Sequence, residues 1–211
     1  MKLNHYETTI ILQPKLSKTE VKSTIDHYKK ILKEEQVTII EETIPMLKNL
    51  AYPIQKQVSG LYYIIQYNAT NTSLLEKIER EFRIDEKVMR FLTIKLDKHA
   101  LAYYKNKKET EEKNKDSHQT ETTEEIEGKE TTQTEKSPSY NTKKYCRFKK
   151  FNIKYIDYKE QNFLLKFLNP QGKILPRRLS GNSAKAQRMV NRAVKRGRQM
   201  AYLPFVADNL K

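Results

Sequence analysis

Residues 6–12 form a β-rich run, and behind them the apolar positions change from alternation to helical spacing. Ser17-Lys18-Thr19-Glu20 has the spacing of a capping box, in which each end satisfies an orphan amide of a first helical turn. Val21, Ile25, Tyr28 and Leu32 then fall at i, i+4, i+7 and i+11, the apolar face of one helix. Val37 to Thr43 predicts a second strand. Ser59 to Asn68 predicts a third, with Leu61, Tyr63, Ile65 and Tyr67 on one face and Tyr62, Ile64 and Gln66 on the other. Leu74, Leu75, Ile78 and Phe82 mark a second helix, and Val88 to Leu96 a fourth strand. The order β-α-β-β-α-β is the split ferredoxin-like pattern, an α+β fold.

The periodicity then stops. From Lys105 to Thr142 the chain is Glu, Thr, Lys, Ser and Gln, with Ile126 its only sizeable aliphatic residue, which predicts a disordered linker. Helical spacing resumes behind Asp157 and Glu160, a plausible helix start, where Phe163, Leu164, Phe167 and Leu168 offer a buried face. Asn169-Pro170-Gln171-Gly172 ends that helix. A basic loop holding Lys173, Arg177 and Arg178 leads through Gly181 to Asn182 or Ser183 as the N-cap of a last helix, expected from Ser183 to Tyr202. Its Ala186, Met189 or Val190, Ala193 and Gly197 make a narrow small-residue face. The expected domains are residues 1–104, 105–142 and 143–211, the last small and mainly helical.

Charge divides along the same boundaries. Of 41 Lys and Arg and 26 Asp and Glu, residues 1–104 hold 16 and 13, residues 105–142 hold 7 and 10, and residues 143–211 hold 18 and 3. The whole surplus of +15 therefore equals the net charge of the last module, 18 minus 3. A module so small and so basic opposes its own compaction and calls for a polyanion or a docking partner. Its bases occur in an arm (Lys143, Lys144, Arg147, Lys149, Lys150) interleaved with Tyr145, Phe148 and Phe151. They recur in the loop (Lys173, Arg177, Arg178) and as a stripe on the last helix (Lys185, Arg188, Arg192, Lys195, widened by Arg196 and Arg198). Such cations neutralise phosphates, and the whole set is the candidate RNA-binding surface.

Other chemistry is poorly supported. One cysteine excludes an intrachain disulfide, and a four-ligand zinc site would need three of the scattered His5, His27, His99 and His118. No nucleophile with a base, Walker loop or metal constellation appears, so neither enzyme activity nor a metal or other cofactor is expected. The start has no apolar leader and no apolar run approaches a membrane span, so a soluble, cytosolic protein without a membrane partner is expected. An RNA recognition motif would need a base before Gly60 and a ring after it, where Ser59 and Leu61 stand. Tyr62, Tyr63 and Tyr67 are either core aromatics or an amphipathic surface for a protein partner.

The residues also carry two resemblances. Tyr6-Glu7-Thr8, Leu50-Ala51-Tyr52-Pro53-Ile54 and Gly60-Leu61-Tyr62-Tyr63 resemble bacterial small-subunit ribosomal protein six over about residues 3–100, with Pro45 and Met46 where many members have a glycine. Cys146-Arg147-Phe148, Ile156-Asp157-Tyr158-Lys159, Gly172-Lys173-Ile174, Pro176-Arg177-Arg178, Gln187-Arg188, Lys195-Arg196 and Leu203-Pro204-Phe205-Val206 resemble small-subunit ribosomal protein eighteen. Gly197 stands where that family commonly has Ala, costing the helix up to ~1 kcal/mol unless a close contact requires it.

The two families are separate chains that pair with each other and bind the central domain of small-subunit ribosomal RNA at the platform. The resemblance therefore implies a fused heterodimer, ribosome-associated in the cytoplasm, with ribosomal RNA and neighbouring small-subunit proteins as partners. Tyr62, Tyr63, Tyr67, Tyr145 and Phe148 are the expected docking residues between the modules. A free RNA-binding or RNA-chaperone protein acting off the ribosome is the alternative.

Overall fold

The computed structural model describes residues 3–34, 37–70, 73–116 and 146–206. Strand β1 (Asn4–Leu12) is the middle of an antiparallel sheet, between β4 (Gln57–Ala69) and β5 (Val88–Lys95). Two short strands, β2 (Thr38–Glu42) and β3 (Met46–Ile54), share the outer edge of the long β4: β2 pairs around Ile65 to Asn68, and β3 around Gln57 to Tyr62. Helices α1 (Lys18–Glu34) and α2 (Ser73–Ile84) complete the ferredoxin-like split pattern.

The alternation of β1 and β4 decides what each sheet face meets. Tyr6, Ile10 and Leu12 join Tyr63, Ile65 and Tyr67 under Val21, Ile25, Tyr28 and Leu32 of α1 and Leu74, Ile78 and Phe82 of α2. The capping box forms as its spacing predicts: Ser17 N donates to Glu20 Oε2 at 2.8 Å, and Glu20 N donates to Ser17 Oγ at 3.2 Å.

Two elements depart from expectation. β3 is an additional strand, formed by the block expected to lie merely before strand three. Met46 to Asn49 are all exposed and show no alternation, and Pro53 is tolerated because the strand lies at an edge. The β3–β4 turn uses Gln55 and Lys56 at φ 48° and 63°, left-handed positions usually marked by Gly or Asn. The chain after β5 also becomes helix α3 (Lys98–Asp116), which runs past the boundary expected at residue 104. Its Lys- and Glu-rich part has high intrinsic helix propensity without an apolar period to reveal it. The rest of the expected linker, 117–142, lies outside the described residues.

The second module consists of three short helical turns, α4 (Arg147–Lys150), α5 (Gln161–Leu165) and α6 (Arg177–Ser180), around one long helix, α7 (Ala184–Gln199). Asp157 does not begin a helix. Its Oδ1 accepts from the Lys159 amide at 3.0 Å, a tight turn, and helix forms only from Gln161. Phe148, Phe163 and Phe167 pack ring to ring within this module. Ser183 is the N-cap of α7, its Oγ accepting from Ala186 N at 3.3 Å. The helix stops at Gln199, earlier than expected, where Ala201 turns the backbone to φ 51°.

The second module covers the sheet face opposite α1 and α2. Ile11, Leu50, Tyr62, Met89 and Ile94 of the sheet share one buried cluster with Ile156, Tyr158, Val190, Val194, Met200 and Leu203. At Gly197 a Cβ would come within 3.2 Å of both Tyr158 O and Leu203 Cδ1, so the close approach that the glycine implied is present.

Gly60 is more tightly constrained, since a Cβ there would lie 2.5 Å from Ile11 Cγ2, a branched atom with no room to swing. Gly60→Ala should lower stability by about 1–3 kcal/mol through overpacking, read from the urea midpoint at unchanged m value. Adding Ile11→Ala should cost less than the sum of the single changes, whereas strict additivity would exclude overpacking as the cause.

Candidate nucleic-acid surface and module interface

Cross-strand register arranges the covered sheet face in three rows: Gln66, Glu7 and Ile94; then Ile64, Thr9 and Leu92; then Tyr62, Ile11 and Arg90. The first row places a carboxylate, 0% exposed, on the central strand. An isolated buried carboxylate is prohibitively costly, so its partners decide whether the face can be covered. Gln66 Nε2 donates to Glu7 Oε2 at 3.2 Å from within the sheet. The other partners come from the second module: Tyr158 OH donates to Glu7 Oε1 at 2.9 Å, and Lys159 Nζ to Oε2 at 2.8 Å. Tyr158 OH also lies 2.6 Å from Thr9 Oγ1. Burial, with the Glu7 charge close by, pushes the Tyr158 phenol far above its ordinary range and keeps it a donor. Burial likewise raises the Asp157 carboxyl, which Lys159 Nζ partly offsets from 3.8 Å.

A second set of contacts receives the end of α7. The last carbonyls of a helix have no partners within it, and its C-terminus favours a cation. Four successive carbonyls, those of Arg198 and Gln199 in α7 and of Met200 and Ala201 just beyond it, are met by the first module. Tyr52 OH donates to Arg198 O at 2.6 Å, Arg90 Nη1 to Gln199 O at 3.3 Å, Tyr62 OH to Met200 O at 2.8 Å, and Ala51 N to Ala201 O at 2.8 Å. Rings close the edges, with Tyr62 4.9 Å from Tyr202 and Tyr52 5.2 Å from Phe205. In a third set, on α3, Tyr103 and Tyr104 pack against Tyr155, Tyr103 OH donates to Glu160, and Lys159 Nζ lies 4.8 Å above the Tyr104 ring.

Of the expected docking residues, Tyr62 lies in these contacts. Tyr63 and Tyr67 lie on the other sheet face under the helices, because they alternate with Tyr62 along β4, and each phenol is raised by burial there. Phe148 packs chiefly on Phe163 and Phe167 of its own module, and Tyr145 lies outside the described residues. Glu7, Ala51, Tyr52, Arg90, Tyr158, Lys159 and Tyr202 were not singled out as docking residues. A lone acid on the inner face of a central strand was the available signal for Glu7.

Among the expected RNA-binding residues, Lys185, Arg188, Arg192 and Lys195 are exposed along α7, while Ala186, Val190, Ala193, Val194 and Gly197 face inward. Arg147, Lys149, Lys150, Lys173, Arg177 and Arg178 are exposed as well, and Arg196 is half-buried. Arg198 differs from the rest of the stripe: its Nη2 donates to Gly172 O and its guanidinium lies 5.8 Å from the Phe205 ring centre, so it braces the module. Lys143 and Lys144 lie outside the described residues. Among the described residues no helix is long and apolar enough to cross a membrane, and no cluster of three metal-ligating side chains occurs.

The ribosomal protein S6 family model matches residues 5–95, and the ribosomal protein S18 family model matches residues 152–203. Small ribosomal subunit protein bS18 of Flavobacterium psychrophilum is 70% identical over 70 residues, 33% of this chain and 71% of that protein. The bS18 protein of Cytophaga hutchinsonii is 68% identical over 71 residues, 34% of this chain and 86% of its own. The crystal structure of 30S ribosomal protein S6 from Thermotoga maritima is similar at a TM-score of 0.43 and 24% identity, over 53% of this chain and 99% of that one. Through its second module the chain belongs to the ribosomal protein S18 family, and with ribosomal protein S6 matched ahead of it the chain is a fusion of the two families.

Proposed function

We propose that this protein is a structural constituent of the bacterial small ribosomal subunit, whose two modules dock as a fused heterodimer and bind the central domain of small-subunit ribosomal RNA at the platform. It is a cytoplasmic, ribosome-associated protein with neighbouring small-subunit proteins as further partners. Both matched families are structural and non-enzymatic. The observation that carries the reading is a meeting of motifs. Tyr6-Glu7-Thr8, part of the resemblance to protein six, supplies the buried acid, and Ile156-Asp157-Tyr158-Lys159, part of the resemblance to protein eighteen, supplies its donors. Beside that contact α7 has its small-residue face inward and its cations outward, the division of labour an RNA-binding fused pair requires.

Sucrose-gradient sedimentation of a lysate at high salt tests the functional reading. The protein should co-migrate with small subunits, and the intact-mass spectrum of those subunits should contain the full chain. Recovery only in the soluble fraction would favour a free RNA-binding protein instead.

The buried network makes its own prediction. Lys159→Met leaves the buried Glu7 carboxyl without its cation and should cost about 3 kcal/mol of stability, whereas Lys166→Met, exposed on the same module, should stay within about 0.5 kcal/mol. Combining Lys159→Met with Glu7→Gln should recover most of the loss in urea titration. Simple addition of the two single effects would show that charge pairing is not what Lys159 contributes.

A further inference from the structure

We infer that the RNA-binding surface includes a composite groove that neither module forms alone and that takes one unpaired nucleotide with its flanking phosphates. The inference rests on the RNA-binding reading above and adds to it a contribution from the first module. One wall is α7, through Lys185, Arg188 and Arg192. The other wall is formed by Lys95, at the end of β5, and His99, at the start of α3, together with Lys154 from the chain before Tyr155. Lys95, His99 and Lys154 are exposed and belong to none of the arm, loop or helix bases read from the sequence.

Three properties point to a nucleic acid strand. The walls carry the same sign, with Asp97 the one acid on the lining, so the groove concentrates positive potential that suits a phosphate backbone. Its lining includes apolar Ile94, Leu96, Met189 and Ala193, a surface against which a base can pack. Its volume of about 290 Å³ is near the lower end for small-molecule sites, room for one nucleotide unit. The guest is therefore an unpaired residue of a loop or bulge, the form in which RNA exposes its bases to proteins.

Placement explains why the groove waits on docking. Lys95 and His99 flank Leu96, and Lys154 precedes Tyr155 and Ile156, so the opposing basic wall spans the junction between the modules. The same covering of the sheet face that satisfies Glu7 brings the first module's bases opposite the stripe on α7.

Filter binding of the full-length protein to a transcript of the small-subunit ribosomal RNA central domain, over a range of KCl concentrations, tests the inference. The pair Lys95→Gln and Lys154→Gln should flatten the plot of log K against log salt by about 1.5 units and weaken binding about tenfold near physiological salt. The pair Lys18→Gln and Lys30→Gln removes the same charge from α1, beyond the opposite sheet face, and should change the slope by less than about 0.5. Unfolding midpoints of all variants should match the parent, since every altered side chain is exposed. If the groove pair behaves like the α1 pair while Arg188→Gln with Arg192→Gln still weakens binding, the RNA reading stands and the composite groove is wrong. If the α7 pair is also without effect, RNA binding by this surface fails, and the groove with it.

Discussion

The carboxylate of Glu7 is the constraint around which the molecule is arranged. It sits on the central strand of the sheet, fully buried, with a side-chain amide from Gln66 as its one partner among the described residues of the first module. A lone amide does not compensate a buried charge. Tyr158 and Lys159 supply a hydroxyl donor and a cation, and both belong to the other module. The sheet face can therefore be dry only when the correct surface covers it, so the polar network selects the partner's position while the surrounding Ile11, Tyr62, Ile94 and Leu203 provide the apolar burial.

The second module depends on the first in a different way. With 18 bases and 3 acids in its expected span it repels itself, and among its described residues three of the four helices are short turns. At the end of its one long helix the carbonyls of Arg196, Gly197 and Arg198 accept from Met200, Tyr202 and Ala201 of the same module, and further donors come from across the junction. The first module presents two phenols, a guanidinium and a backbone amide to four consecutive carbonyls of that end. This also accounts for α7 being small on one side and basic on the other. Ala193 and Gly197 let it approach Tyr158 and Leu203, and the outward positions are left to cations.

Periodicity made much of this legible. The helices α1 and α2, the strands β1, β4 and β5, and the N-cap of α7 follow from apolar spacing and capping residues. β3 and the far part of α3 were not legible, because an exposed edge strand containing Pro53 does not alternate and a Lys- and Glu-rich helix has no apolar face. Tyr62 could not be told from Tyr63 and Tyr67 by residue type, and the face each occupies matters only once the partner is known. The carbonyls of residues 198–201 are backbone acceptors and leave no trace in side-chain pattern. Glu7 left one, an acid in a strand whose two faces are both buried, but its meaning required Tyr158 and Lys159 from the far end of the chain.

The amide of Ala51 reports this arrangement directly. It lies on an irregular stretch of β3, and its acceptor is Ala201 O of the other module, so its protection from hydrogen exchange has no source inside the sheet. In the full-length protein Ala51 should exchange as slowly as the amides that join β1 to β4. Exchange at the rate of an unprotected amide, while the interior amides of α7 remain protected, would show two folded modules that do not dock and would contradict the account.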